Sequence, residues 1–144
     1  MSFTTTLKVR FGDIDHAGIA YYPNLYHYLH IAFEEFFENH VGIPYPDLLD
    51  KERVGFPTVS VTTDFDEPIR YGDILTIRIT VSRIGISSAE FLFEAAKTEG
   101  GAPCMVSRQT VVAVDMSTFR PIPIPPRLKE RFALCSPGLF PGRA

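Results

Sequence analysis

One long amphipathic helix stands alone among strand-like runs, and this limits the folds open to the chain. From Asn24 to His40 the apolar residues Leu25, Leu29, Ala32, Phe33 and Phe36 recur at intervals of three and four, with Glu34, Glu35 and Glu38 on the other side. A helix with a single apolar stripe must lay it against something. No second helix of that length is in sight, so its partner must be a sheet. Pro23 suits the first turn, while His40, Gly42 and Pro44 form a stop signal with Gly42 as left-handed cap.

The strands flank it. Phe3 to Phe11 alternate apolar with polar and end at Gly12. Thr58–Phe65, Asp73–Ile84, Ser88–Lys97 and Cys104–Val114 are rich in Val, Ile, Thr and Phe. Turn signals at Arg70–Asp73, around Gly85 and over Glu99–Pro103 predict antiparallel hairpins between consecutive runs. Tyr45 to Gly55 reads as a short helix and loop, and four prolines between Arg120 and Pro126 argue against further pairing before a last helix from Pro126 to about Leu134. The reading is an α+β domain over residues 1–135, about five antiparallel strands around one helix, with 136–144 as a flexible tail.

With 144 residues, 45% hydrophobic and 22% charged, the chain suits one core. A net charge of -3 offers no footprint for nucleic acid, so a phosphate-bearing ligand needs a local basic cluster. No apolar run approaches a membrane span, and the two cysteines, Cys104 and Cys135, have no metal or disulfide pattern, so the expected location is the cytoplasm.

The densest polar group is Asp13, Asp15 and His16, between the first strand and the long helix. Such aspartates commonly make Asx turns. A carboxylate just before a helix N-terminus also lies beside free backbone N–H groups that can stabilise an oxyanion, a minimal acyl-transfer site. No further ligand follows Asp13 and Asp15 at a metal spacing, and His27 and His30, with Glu34 four residues on, read as helix-surface or interface histidines, so neither metal nor cofactor is expected. Cys104 has no neighbouring base and reads as buried, and Gly100-Gly101 as a hairpin turn.

The segment Phe11-Gly-Asp-Ile-Asp15-His-Ala-Gly18-Ile-Ala-Tyr-Tyr-Pro-Asn24 resembles the active-site loop of the 4-hydroxybenzoyl-CoA thioesterases of the hotdog superfamily, Phe-Gly-Asp-x-Asp-Pro-Ala-Gly-Ile-Val-aromatic-aromatic-Pro-Asn. Pro68-Ile-Arg-Tyr-Gly72-Asp73-Ile-Leu-Thr-Ile and Gly55-Phe-Pro-Thr-Val-Ser60 are similar to that family's strand entries, and the resemblance covers residues 7 to 126. It implies a hotdog fold, homodimers with a continuous sheet that often form tetramers, and hydrolysis of an acyl-CoA thioester, aromatic acyl groups such as 4-hydroxybenzoyl included. By the same resemblance Asp15 is the nucleophile or general base and the Tyr22 amide polarises the thioester carbonyl. His16, Tyr21, Asn24 and Phe56 are the expected substrate-side residues.

Three departures stand out. His16 replaces the family's Pro, Phe56 replaces a small hydroxylic residue, and the basic run expected around Gly85 to Ser88 is missing, which leaves Arg83, Arg108 and Arg120 as phosphate candidates by charge alone. Two other readings stay open: a hotdog dehydratase with His16 as base, and an acyl-CoA binding module without turnover.

Overall fold

The computed structural model describes residues 2–137. In chain order the elements are β1 (Phe3–Lys8), α1 (Tyr22–Phe36), α2 (Tyr45–Asp50), β2 (Val54–Gly55), β3 (Thr58–Phe65), β4 (Ile74–Ile84), β5 (Ser88–Ala96), β6 (Met105–Val112), β7 (Val114–Asp115) and α3 (Pro126–Ala133). A five-stranded antiparallel sheet runs β1-β4-β5-β6-β3, and β2 pairs with β7 in a separate ladder.

Period-two alternation places Leu75, Ile77, Ile79 and Val81 of β4 and Ala89, Phe91, Phe93 and Ala95 of β5 on one buried face. Against it lies the stripe of α1, Leu25, Leu29, Ala32, Phe33 and Phe36, as expected of a lone amphipathic helix. The contact is largely aromatic: the ring centroids of Phe33 and Phe36 lie 5.1 Å and 5.6 Å from that of Phe91. Burying one such ring is worth about 1.5–3 kcal/mol.

The helix begins at Tyr22, two residues before the expected start, with Pro23 in its first turn. Past Phe36 it widens into one π turn, Phe37–Val41, which accompanies two successive fully buried rings, Phe36 and Phe37. Gly42 then caps it at φ 90°.

Three expectations need correction. The first strand does not reach Phe11: pairing stops at Lys8, and a 3-10 turn over Phe11–Asp13 swings the Phe11 side chain into solvent at 77% exposure. The Arg70–Asp73 turn does not close a hairpin between β3 and β4, because β3 pairs with β6. It delivers β4 to β1 instead, with Val9 N–H donating to Asp73 O at 2.8 Å and Gly72 N–H to Val9 O at 3.2 Å. The proline-rich stretch also stays paired: Ile122 N–H reaches Ala113 O at 2.9 Å and Ile124 N–H reaches Ile86 O at 2.8 Å, because the non-proline residues alternate with the prolines.

At the other end of the chain, Ser136 is buried and donates its N–H to Ala133 O, whereas 138–144, most of the expected tail, lie outside the described residues. Among the described residues no helix is long and apolar enough to cross a membrane.

Candidate active site

Between β1 and α1 the chain folds back on itself through an Ile14–Ala20 bridge, with Asp15 N–H donating to Ile19 O at 3.0 Å. The turn closes when Gly18, at φ +83°, donates its N–H to Asp15 O at 3.0 Å. A residue with a Cβ is strained at that φ. Asp15 takes part in the turn chemistry: its Oδ1 accepts the Ala17 N–H at 2.8 Å. Among the described residues nothing bonds its Oδ2, which leaves one carboxylate oxygen committed and one open.

Asp13 is placed differently. Tyr28, buried on α1, donates its hydroxyl to Asp13 Oδ2 and accepts the Arg10 N–H at 3.2 Å. Burial and the bond to Asp13 push the Tyr28 phenol above its usual pKa. The Asp13 carbonyl meanwhile accepts Tyr21 N–H at 2.9 Å and Asn24 Nδ2 at 3.4 Å. One residue thus ties both ends of the loop to the helix, and Asn24 serves that tie.

The same bonds leave an unpaired donor. At the start of α1 the Tyr21 N–H goes to Asp13, Pro23 has none and Asn24 N–H goes to Tyr21 O at 2.8 Å. Tyr22 N–H has no acceptor among the described residues, and it sits at the positive end of the helix dipole. Tyr22 also lines a hollow of about 290 Å³ with Ile19, Leu25, Phe65 and the chain from Asp66 to Ile69.

Sequence reasoning missed the wall of this hollow. Lys97, at the end of β5, points its Nζ at Pro68 O (2.6 Å), Glu67 Oε1 and Asp73 Oδ2 (both 3.3 Å), and the next residue of that segment, Ile69, accepts the Ala20 N–H at 2.7 Å. Burial works against the Lys97 charge, but the bonds to Asp73 and Glu67 outweigh it and raise its pKa. No local pattern announces a contact between residues some thirty positions apart.

Of the residues expected in the site, the loop brings Asp15, His16, Tyr21, Tyr22 and Asn24 together, with His16, Tyr21 and Tyr22 exposed. Phe56 is elsewhere in the chain's own fold: it is 4% exposed, its ring packs on Phe37 and Phe132, and it borders a separate shallow groove with His30 and Tyr45. His30 pairs with Glu34 at 3.2 Å on the helix surface. Among the described residues no three His, Cys, Asp or Glu side chains converge as a metal site needs. Cys104 is buried, and desolvation pushes its thiol up, away from nucleophilic use. Arg108 is engaged with Glu90 at 3.8 Å, Arg83 sits at the bulge of β4, and Arg120 lies beside β7, all apart from the loop.

The sequence model of a family described as "Thioesterase-like superfamily" matches residues 9–132. The chain is 34% identical over 118 residues to a 1,4-dihydroxy-2-naphthoyl-CoA hydrolase of Nostoc punctiforme, covering 82% of this chain and 78% of the relative. Several other hydrolases of that name are matched over 54% to 61% of their own length. It is 30% identical over 142 residues to a 4-hydroxybenzoyl-CoA thioesterase of Pseudomonas sp. (strain CBS-3), covering 94% and 98%. Among solved structures, a gentisyl-coenzyme A thioesterase superposes with TM-score 0.81 at 29% identity, covering 90% of this chain and 99% of that one.

Proposed function

The chain belongs to the thioesterase-like superfamily, has its hotdog fold and is an acyl-CoA thioester hydrolase; from that premise we propose that it acts on an aromatic acyl-CoA, with Asp15 as the reacting carboxylate. The observation that carries the reading is the open Oδ2 of Asp15 on the same loop as the unpaired Tyr22 N–H. The substrate carbonyl oxygen accepts the Tyr22 N–H, which stabilises the negative charge as the carbonyl carbon becomes tetrahedral. Asp15 Oδ2 either attacks that carbon, giving a mixed anhydride that water then cleaves, or takes a proton from the water that attacks. Both routes break the C–S bond, release coenzyme A as thiolate that solvent protonates, and leave the carboxylic acid.

An aryl group is favoured by the relatives, which are hydrolases of naphthoyl-, hydroxybenzoyl- and gentisyl-CoA, and by the apolar hollow of Tyr22, Leu25, Ile19 and Phe65. His16 and Tyr21 form the rim on this reading, and Phe56, which borders a separate groove of its own chain, reaches the acyl end only from a second copy. A thiol-release panel tests it: kcat/KM for benzoyl-, 4-hydroxybenzoyl- and naphthoyl-CoA should exceed that for acetyl- and hexanoyl-CoA by about tenfold or more, since apolar contacts of that size are worth about 1–3 kcal/mol each. A short aliphatic thioester that performs as well refutes the aryl preference and leaves the hydrolase in place.

The strand β3 supports a homodimer or a tetramer built as a dimer of dimers. It is an edge strand with seven of its eight residues exposed, Val59, Val61 and Phe65 among them. Such an edge pairs readily with a second copy. Light scattering at micromolar concentration should report no monomer. The free, buried Cys104 and Cys135 support a cytoplasmic location.

A further inference from the structure

Two aromatic rings stand out in solvent at the foot of the catalytic loop. Phe11 is 77% exposed and Tyr71 61%, and they meet edge to face with centroids 5.6 Å apart. The backbone pairing of Val9 with Gly72 and Asp73 brings Arg10–Phe11 alongside Arg70–Tyr71. Both arginines are exposed, and among the described residues neither guanidinium has an acidic partner, whereas Arg78, Arg108 and Arg127 are each engaged with a glutamate. Asp73, three positions after Arg70, already accepts Arg70's own N–H at 2.8 Å and faces Lys97, and Glu67, three positions before Arg70, also faces Lys97.

Exposed rings, each next in sequence to an exposed arginine without an acidic partner among the described residues, are suited to one kind of ligand, a base that stacks and phosphates that take Arg hydrogen bonds. The patch is continuous with the reacting loop: the Phe11 carbonyl accepts the Ile14 N–H at 3.3 Å. Phe11 and Asp15 are four positions apart, a span of at most about 14 Å. It also lies between β1 and β4, at the sheet edge opposite β3, so pairing through β3 leaves it open.

We infer that Arg10, Phe11, Arg70 and Tyr71 hold the 3′-phosphoadenosine diphosphate end of the coenzyme A thioester, the base against the two rings and the phosphates on the two guanidinium groups. The inference rests on the hydrolase reading and moves the phosphate contacts away from Arg83, Arg108 and Arg120. In a chain of net charge -3 these contacts have to be local, and they should weaken with salt.

The test compares benzoyl-CoA with benzoyl-N-acetylcysteamine, a thioester without the nucleotide, on the full chain. For benzoyl-CoA, Arg10→Gln and Arg70→Gln should each raise KM up to about fivefold, the range of one exposed charge contact, and Tyr71→Ala by about fivefold or more from lost stacking. KM for the truncated thioester should stay within about twofold of the parent value, since it makes none of these contacts. Equal rises on both substrates, or no rise on benzoyl-CoA, overturn the assignment. So does a change of oligomeric state in Arg10→Gln, which would make the patch a subunit interface. If the parent hydrolyses neither thioester, the hydrolase reading fails by itself. Calorimetry with adenosine 3′,5′-bisphosphate then still decides the patch: binding that the Arg10→Gln/Arg70→Gln pair abolishes supports it, and absent or unaffected binding overturns it.

Discussion

At its C-terminal end α1 runs into rings, and at its N-terminal end into hydrogen bonds. Around Phe36 and Phe37 every aromatic neighbour is met by another: Phe132, fully buried, lies within 5.9 Å of the ring centroids of Phe36, Phe37, Phe56 and Phe91. A reciprocal pair closes that end, with the Arg131 guanidinium donating to His40 O and the His40 ring meeting Arg131 O at 2.8 Å. Around Asp13 and Tyr22 little is packed, and two groups, the Asp15 Oδ2 and the Tyr22 amide, have no partner among the described residues. The contrast teaches where each kind of free energy is placed. One end is closed by packed rings and gives stability, and the other leaves two groups unpaired among the described residues, the two that the proposed function uses.

The sharpest way to break this division is Asp15→Asn. The amide oxygen can still accept the Ala17 N–H, so the turn survives, while the charge and the nucleophile are lost. Turnover should fall by about two to four orders of magnitude with a near-parental thermal midpoint. Parental turnover in this variant, measured by thiol release, would remove Asp15 from the chemistry.

Next in size is Phe132→Ala at the packed end, which should cost about 3–5 kcal/mol in urea unfolding. Turnover per folded molecule should stay near normal. If activity fell tenfold in the folded fraction, the two ends would be coupled and the division too simple.

Asp13→Ala asks whether the loop's tie is structural. It leaves the Tyr28 hydroxyl buried without its acceptor, a loss of about 1–3 kcal/mol, and loosens both Asp15 and Tyr22. Tyr28→Phe removes the same bond but leaves its former partners, the Asp13 carboxylate and the Arg10 N–H, where water can reach them, and should cost less by the same unfolding measurement. The smallest effect belongs to Gly42→Ala. A Cβ there meets nothing within 4 Å, so only the φ of +90° resists it, at about 1 kcal/mol.

Much of this was legible in the sequence, for reasons of range. The stripe of α1, the strands β3 to β6 and the Gly42 cap are set by neighbours three or four residues away at most, and periodicity reports them. The loop from Phe11 to Asn24 was legible as a family resemblance and as an Asx-turn segment, and both hold: the family model matches residues 9–132, and Asp15 Oδ1 accepts the Ala17 N–H. The tie of Tyr28 to Asp13 and the grip of Lys97 on the 66–73 segment were not legible, because they join residues 15 to 30 positions apart with no repeating pattern. Phe11 was misread for a related reason: alternation predicts which face a residue takes, and it cannot tell when the strand carrying that alternation has stopped. The same limit hid the partner of β3, since short connections favour a sequential neighbour and the sheet chose β6.

The stretch from Pro121 to Pro125 has a consequence for how the protein behaves in a crowded solution. Successive amides of an extended segment face opposite edges. Here Ile122 and Ile124 turn theirs inward, to Ala113 and Ile86, and the alternate positions are prolines. The outward edge therefore has no donor to offer a passing strand, and it achieves this without a charged residue. The segment is a one-sided seam, stitched to its own domain with no donor turned outward, in contrast to the edge strand β3, whose residues include no proline.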